Sequence, residues 1–488
     1  MTSDSTVTEL PTIPVTAPPE AQNSSNATEI KGKASWKTCW RYACYLSKYI
    51  YKDPPPPNGF HTQFPEKMAD VETHWEKWDE LVDQTGSGLV ARLFKVKGYD
   101  PNSKTDLCPP TLVFRGTDFE DMRDLAIVPT IKIYGYTVYD TPFLLDKTIA
   151  PATKPDDLLR RGFKPIRIYE ETGTVRAPGS IEGTGFIDAE IFIQLDIYAK
   201  ENGDWASNIY QGLGKGSSQY KKSIDYGRKI TSNKIIPSAD KRLEISGHSL
   251  GGGLASAVCV VLDHEINGIY FHSIAFNPAG VHPNTIKPAT AADGHINVFT
   301  VNDEILTTVE NYRGKLPIIG AIFRLAKRTI GQDGMPHTIG TLLTNDGISP
   351  GKSDEKWAVP PKGKLLPKLF PIGEQNLIKP PKPEKFPEIT KLDNLLNGSA
   401  SATDFANKLL VYLHDKYVPN KFSQKDMLWL DPRSILTKDI LDYSNIYKKY
   451  KEELQPEIDA LMKIIEASIS YHGMDYVIAT YDRYYGGA

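Results

Sequence analysis

The chain has 488 residues, 40% of them hydrophobic and 24% charged, with a formal net charge of −3. That length allows a buried core in one large domain or two. The lack of a basic excess argues against nucleic acid as a general partner, and no apolar run reaches the ~18 residues a spanning helix needs.

Residues 1–30 are rich in Thr, Pro, Ser and Asn, lack the charged-then-apolar order of a secretory signal, and read as a disordered arm. A helical N-terminal extension is expected over 31–88. In it, residues 36–51 form an aromatic-rich helical segment stopped by Pro54-Pro55-Pro56-Pro57, and residues 66–85 a second amphipathic stretch. Strand patterns begin at 89–94 and 111–117. Residues 210–232 are polar and periodic, which predicts a helix, and further strands are expected at 268–276 and 296–301. Strands alternating with helices imply a mostly parallel sheet covered on both faces, an α/β core spanning 89–310.

Beyond it, 311–455 reads as a lid or insertion region whose stretch 347–387 is a Pro- and Lys-rich linker. Helices over 456–488 complete the domain. Cys39, Cys44, Cys108 and Cys259 show no metal-ligand spacing and are expected to be reduced, mostly buried thiols. A Cys39–Cys44 bridge is awkward within a helical pattern. No metal or cofactor is implied.

The chemistry is concentrated in Leu243-Glu244-Ile245-Ser246-Gly247-His248-Ser249-Leu250-Gly251-Gly252-Gly253, where an alternating strand breaks into Gly-x-Ser-x-Gly and then a small-residue helix. A serine hydroxyl is a weak nucleophile unless a base stands beside it and the backbone lifts it clear of the sheet. The tight turn does the lifting and needs glycine at Gly247 and Gly251, where flanking side chains would crowd. The helix that follows aims its first amides at a developing oxyanion, so the Leu250 N–H is a ready donor.

Val113-Phe114-Arg115-Gly116-Thr117, Gly183-Thr184-Gly185-Phe186, Gly247-His248-Ser249-Leu250-Gly251-Gly252 and Val301-Asn302-Asp303 follow one another in the order and rough spacing of a known family. In these residues the chain resembles the class 3 lipase family of α/β-hydrolases, with the likeness running over about 89–310. Thr184 departs from the pattern, since many members carry His there. The resemblance implies an α/β-hydrolase fold and a second oxyanion donor at Thr117.

The acid should lie just past a strand beyond the serine, because chain order in this fold is Ser, Asp or Glu, then His. Asp303 fits best and Glu304 is the neighbouring alternative. Of the three histidines after it, His472, on a loop leading into a terminal helix, is the favoured base and His337 the alternative. His414 reads as an ordinary helix residue. His248, beside the serine, is expected to pack against the elbow rather than transfer a proton.

An apolar segment over 316–328 ends in Arg324, Lys327 and Arg328. It suits either a lid lying on a headgroup layer or a buried helix with a cationic last turn. The reading is a serine esterase acting on glycerolipid or phospholipid esters at a membrane surface through an acyl-enzyme. The competing reading is a hydrolase-fold module that binds lipid or protein without turnover. An exported toxin lipase, with a cognate inhibitor protein as partner, is as compatible with the sequence as a cytoplasmic enzyme is.

Overall fold

The computed structural model describes residues 36–55, 59–83, 87–100, 107–117, 125–133, 136–139, 143–144, 154–178, 186–200, 204–212, 216–232, 241–289, 295–301, 304, 386–399, scattered positions between 404 and 460, and 469–485. The arm at 1–30, the segment 316–328 and nearly all of the linker at 347–387 lie outside the described residues.

Along β2 (Val90–Val96), Ala91 and Leu93 face one apolar cluster while Val90, Phe94 and Val96 face another. A strand buried on both sides belongs to a sheet covered by helices on both faces. That sheet runs in the order β1-β2-β3-β9-β10-β11, where β1 is Trp75–Val82, β3 Thr111–Phe114, β9 Arg242–His248, β10 Tyr270–Phe276 and β11 His295–Phe299. The β3–β9, β9–β10 and β10–β11 pairs are parallel; β1–β2 and β2–β3 are antiparallel. This is the mixed, mostly parallel layout of an α/β-hydrolase-like fold.

One face packs on α5 (Ser218–Ser232) and on α6 (Leu250–Glu265), which is buried from Leu250 to Leu262. The other face meets α1 (Trp36–Tyr49), α2 (Pro65–His74) and the C-terminal helix α9 (Met474–Tyr485). In α9, Met474, Val477, Ile478 and Tyr481 recur at helical spacing and are all buried, each such side chain contributing roughly 1.5–3 kcal/mol. Helix α1 is tied to α9 by Tyr45 Oη donating to Asp482 Oδ1 at 2.7 Å and by the Lys48–Asp475 ion pair at 3.3 Å.

Between β3 and β9 the chain builds a second, antiparallel sheet, β5-β4-β8-β7, with β4 Leu125–Ile133, β5 Tyr136–Tyr139, β7 Phe163–Pro178 and β8 Phe186–Lys200; β6 (Phe143–Leu144) pairs with β4. Helices α3 (Pro155–Arg160) and α4 (Asp204–Gly212) flank it, α7 (Pro283–Ile286) lies between β10 and β11, and α8 spans Pro387–Asn397.

Two expectations need correction. The stretch 66–85 is helical only to His74, and from Trp75 it is β1, which extends the main sheet into the expected helical extension. A bulge between Lys77 and Asp79 breaks the two-residue alternation by which a strand is recognised. The cysteines are not all reduced: Cys39 on α1 and Cys108 ahead of β3 form a disulfide with Cα atoms 5.3 Å apart, while Cys44 and Cys259 are free and buried.

Candidate active site

The carboxyl ends of the parallel strands converge on Ser249. It follows β9 directly and takes φ 57°, ψ −129°, a left-handed conformation costly for a side chain other than glycine. Surrounding hydrogen bonds hold it there. Its N–H donates to Phe276 O at 3.0 Å, and its carbonyl accepts from Gly252, Gly253 and Ala279 amides at 2.9–3.1 Å. A Cβ on Gly247 would stand 2.2 Å from Gly251 O, and one on Gly251 2.2 Å from Phe114 O, so only glycine lets turn, helix and β3 approach. Leu250 opens α6, and the first amides of a helix have no acceptor within it.

Thr117 lies three residues past the end of β3, whose Phe114 is in register with Gly247. It is buried, and its Oγ1 accepts from Asn208 Nδ2 of α4 at 3.3 Å. The loop is pinned by Arg115, whose N–H donates to Val90 O and whose guanidinium donates to Pro54 O and Gly88 O. Gly116 N–H donates to Tyr51 Oη at 3.1 Å.

His472 closes the short helical stretch 469–472 just ahead of α9, where a loop was expected, and is fully buried. Its Nδ1 lies 2.5 Å from Glu304 Oε2, and Glu304 is equally buried. Two buried ionisable groups at this distance stabilise one another only as a hydrogen-bonded pair, and Nδ1–H donation to the carboxylate leaves Nε2 as the basic nitrogen. His472 is beside the elbow: its ring centroid is 4.8 Å from that of His248, the residue preceding Ser249. Its carbonyl accepts from His248 Nε2 at 2.7 Å and from Asn277 Nδ2 at 3.0 Å. Burial first, and the neighbouring His472 second, hold the His248 imidazole well below the usual histidine range, so it stays neutral.

Of the residues named from the sequence, Ser249, Leu250, Thr117 and His472 thus gather at one end of the sheet. Asp303 and His337 lie outside the described residues. The carboxylate that meets His472 is Glu304, whose N–H closes a turn onto Val301 O at 3.3 Å just past β11. Asn277 was not foreseen. Its Oδ1 accepts from Val301 N–H at 2.8 Å while its Nδ2 reaches His472 O, so one side chain ties the segment that carries Glu304 to the one that carries His472. Its φ of 40° is a weak signal, since asparagine tolerates that region better than most residues.

Residues 180–345 match a family model described as the Tle-like phospholipase domain, within a phospholipase-like group. That segment is phospholipase-like and holds Ser249 and Glu304, whereas Thr117 and His472 lie outside it. No curated protein matches the chain. Among solved structures, the crystal structure of M37 lipase aligns over 79% of this chain and 100% of its own at 13% identity and a TM-score of 0.34. A mutant of MDLA from Penicillium cyclopium aligns over 56% of this chain and 73% of its own at 11% identity and a TM-score of 0.26. Both likenesses are loose and bear on neither site nor substrate.

Proposed function

We propose that the protein is a serine carboxylic-ester hydrolase of the lipase or phospholipase type, with Ser249 as nucleophile, His472 as base and Glu304 as the acid. The observation that carries the reading is the fully buried Glu304–His472 pair standing beside a strained serine at a strand-to-helix turn. Its acid is the neighbour of the Asp303 favoured from sequence. The match of residues 180–345 to a phospholipase domain supports a lipid ester as substrate.

In the first half-reaction the Ser249 hydroxyl attacks the ester carbonyl and His472 Nε2 takes its proton. Glu304 stabilises the imidazolium and keeps its Nδ1–H oriented. The amides of Leu250 and Thr117 bind the tetrahedral oxyanion, an effect worth about 3–4 kcal/mol per donor. Collapse expels the alcohol, protonated by His472. Water, activated by the same imidazole, then attacks the acyl-enzyme and releases the acid. No step requires a metal or cofactor.

The Cys39–Cys108 disulfide favours an oxidising compartment for the working protein, which accords with export to a lipid surface. Delivery as a toxin, and a cognate inhibitor, remain sequence readings.

The test pairs fluorophosphonate labelling with a panel of phospholipid and triacylglycerol vesicles. The expected result is stoichiometric label on Ser249, lost in Ser249→Ala together with fatty-acid release. Normal turnover in Ser249→Ala would exclude this nucleophile. A serine that neither labels nor turns over would favour the lipid-binding module instead, because an unactivated hydroxyl does not react.

A further inference from the structure

The hydroxyl of Tyr51, in the 3₁₀ turn Ile50–Lys52 that ends α1, stands between two loops of the site. It accepts from Gly116 N–H at 3.1 Å and lies 3.4 Å from His248 Nδ1. A hydroxyl that accepts from an amide on one side has its own proton to give on the other, so Tyr51 donates to Nδ1. Across the ring, His248 Nε2 faces the His472 carbonyl, which can only accept, so Nε2 carries the imidazole hydrogen. The two partners together select one neutral tautomer.

We propose that Tyr51 and His248 are positioning residues that couple the oxyanion loop to the catalytic base. The connection runs from Gly116 N–H to Tyr51 Oη, through the His248 ring, to the backbone carbonyl of His472. This inference rests on the reading of Ser249 and His472 as nucleophile and base. Neither Tyr51 nor His248 takes part in bond making. Tyr51 holds the amide next to Thr117 in place, and His248 fixes the backbone from which the base projects. Contact between the rings is edge-on, with centroids 6.5 Å apart, so Tyr51→Phe keeps the packing and removes only the hydrogen bonds.

The experiment uses the full chain and p-nitrophenyl esters. Tyr51→Phe should lower kcat roughly tenfold with little change in KM, as expected when orientation rather than substrate binding is lost. His248→Leu should cost roughly a hundredfold. His248→Gln, with Nε2 to donate and Oε1 to accept, should recover most of that loss. The double variant Tyr51→Phe with His248→Leu should be no slower than His248→Leu alone, because both break one connection.

A second readout needs no turnover. Spectra of ¹⁵N-histidine-labelled protein near neutral pH should show His248 as the Nε2–H tautomer, with its Nδ1 resonance shifted in Tyr51→Phe, where that nitrogen loses its donor while the His472 carbonyl still holds the Nε2 hydrogen. An unmoved Nδ1 resonance in Tyr51→Phe, or His248→Gln as impaired as His248→Leu, overturns the coupling. Full activity in Ser249→Ala would instead remove the esterase reading, and the tautomer spectra would still decide the hydrogen-bonded connection.

Discussion

Asn277 and His472 are joined by a hydrogen bond from a fully buried side-chain amide to a backbone carbonyl, 3.0 Å long, although they lie 195 residues apart. The same side chain also donates to Tyr471 O and accepts from Val301 N–H, so Asn277→Ala removes three contacts at once and strands a buried donor. The expected cost is about 1–3 kcal/mol of stability and a fall in kcat with little change in KM. Urea melts and ester kinetics on the variant check both, and an unaltered kcat would mean the backbone at His472 is held by other contacts alone.

Glu304→Gln should reduce kcat roughly a thousandfold or more, since an amide can present its N–H to Nδ1 and favour the wrong imidazole tautomer. Asp303→Asn should leave the rate near that of the wild type. Parallel kinetics on the two variants settle which neighbouring carboxylate acts, and the reverse ranking would return the role to Asp303.

Acid should destabilise the fold through His248. The unfolded chain takes up a proton there as pH falls through about 6.5, whereas the buried ring, with its value held lower, does not. Stability therefore falls with pH below that point, by up to about 1.4 kcal/mol per pH unit for this one group. His295, lowered by burial and then by His272, adds to the slope. Melting temperatures measured from neutral to mildly acidic pH should decline, and His248→Gln should flatten the decline.

The disulfide closes a loop across 69 positions. On the chain-entropy account its loss costs about 4 kcal/mol. Cys39→Ser with Cys108→Ser should unfold at distinctly lower urea than the wild type, and reductant should bring the wild type down to meet it. A wild type indifferent to reductant would show that the thiols are not joined.

The strand-to-helix turn at Ser249 was legible because its determinants are contiguous: a buried alternating strand, glycines flanking Ser249 and small residues after it. The loop at Arg115 to Thr117 was legible for the same reason. Which carboxylate meets His472 was not, since Asp303 and Glu304 are neighbours in sequence and spacing cannot choose between them. His472 could be ranked only by chain order and its place ahead of a terminal helix, because its partner lies 168 residues away. Strand β1 was obscured by its bulge, and the disulfide by the distance between its cysteines. The alternating apolar positions of β8, from Ile187 to Ile197, did carry a strand signal that went unread. Asn277 left almost no trace, because its role comes from two backbone groups that sequence does not expose.

His472 sits just ahead of a helix seated against α1. On the proposed reading, whatever loosens α1 withdraws the imidazole from Ser249 while the serine's own turn stays intact, so activity would fade before the sheet melts.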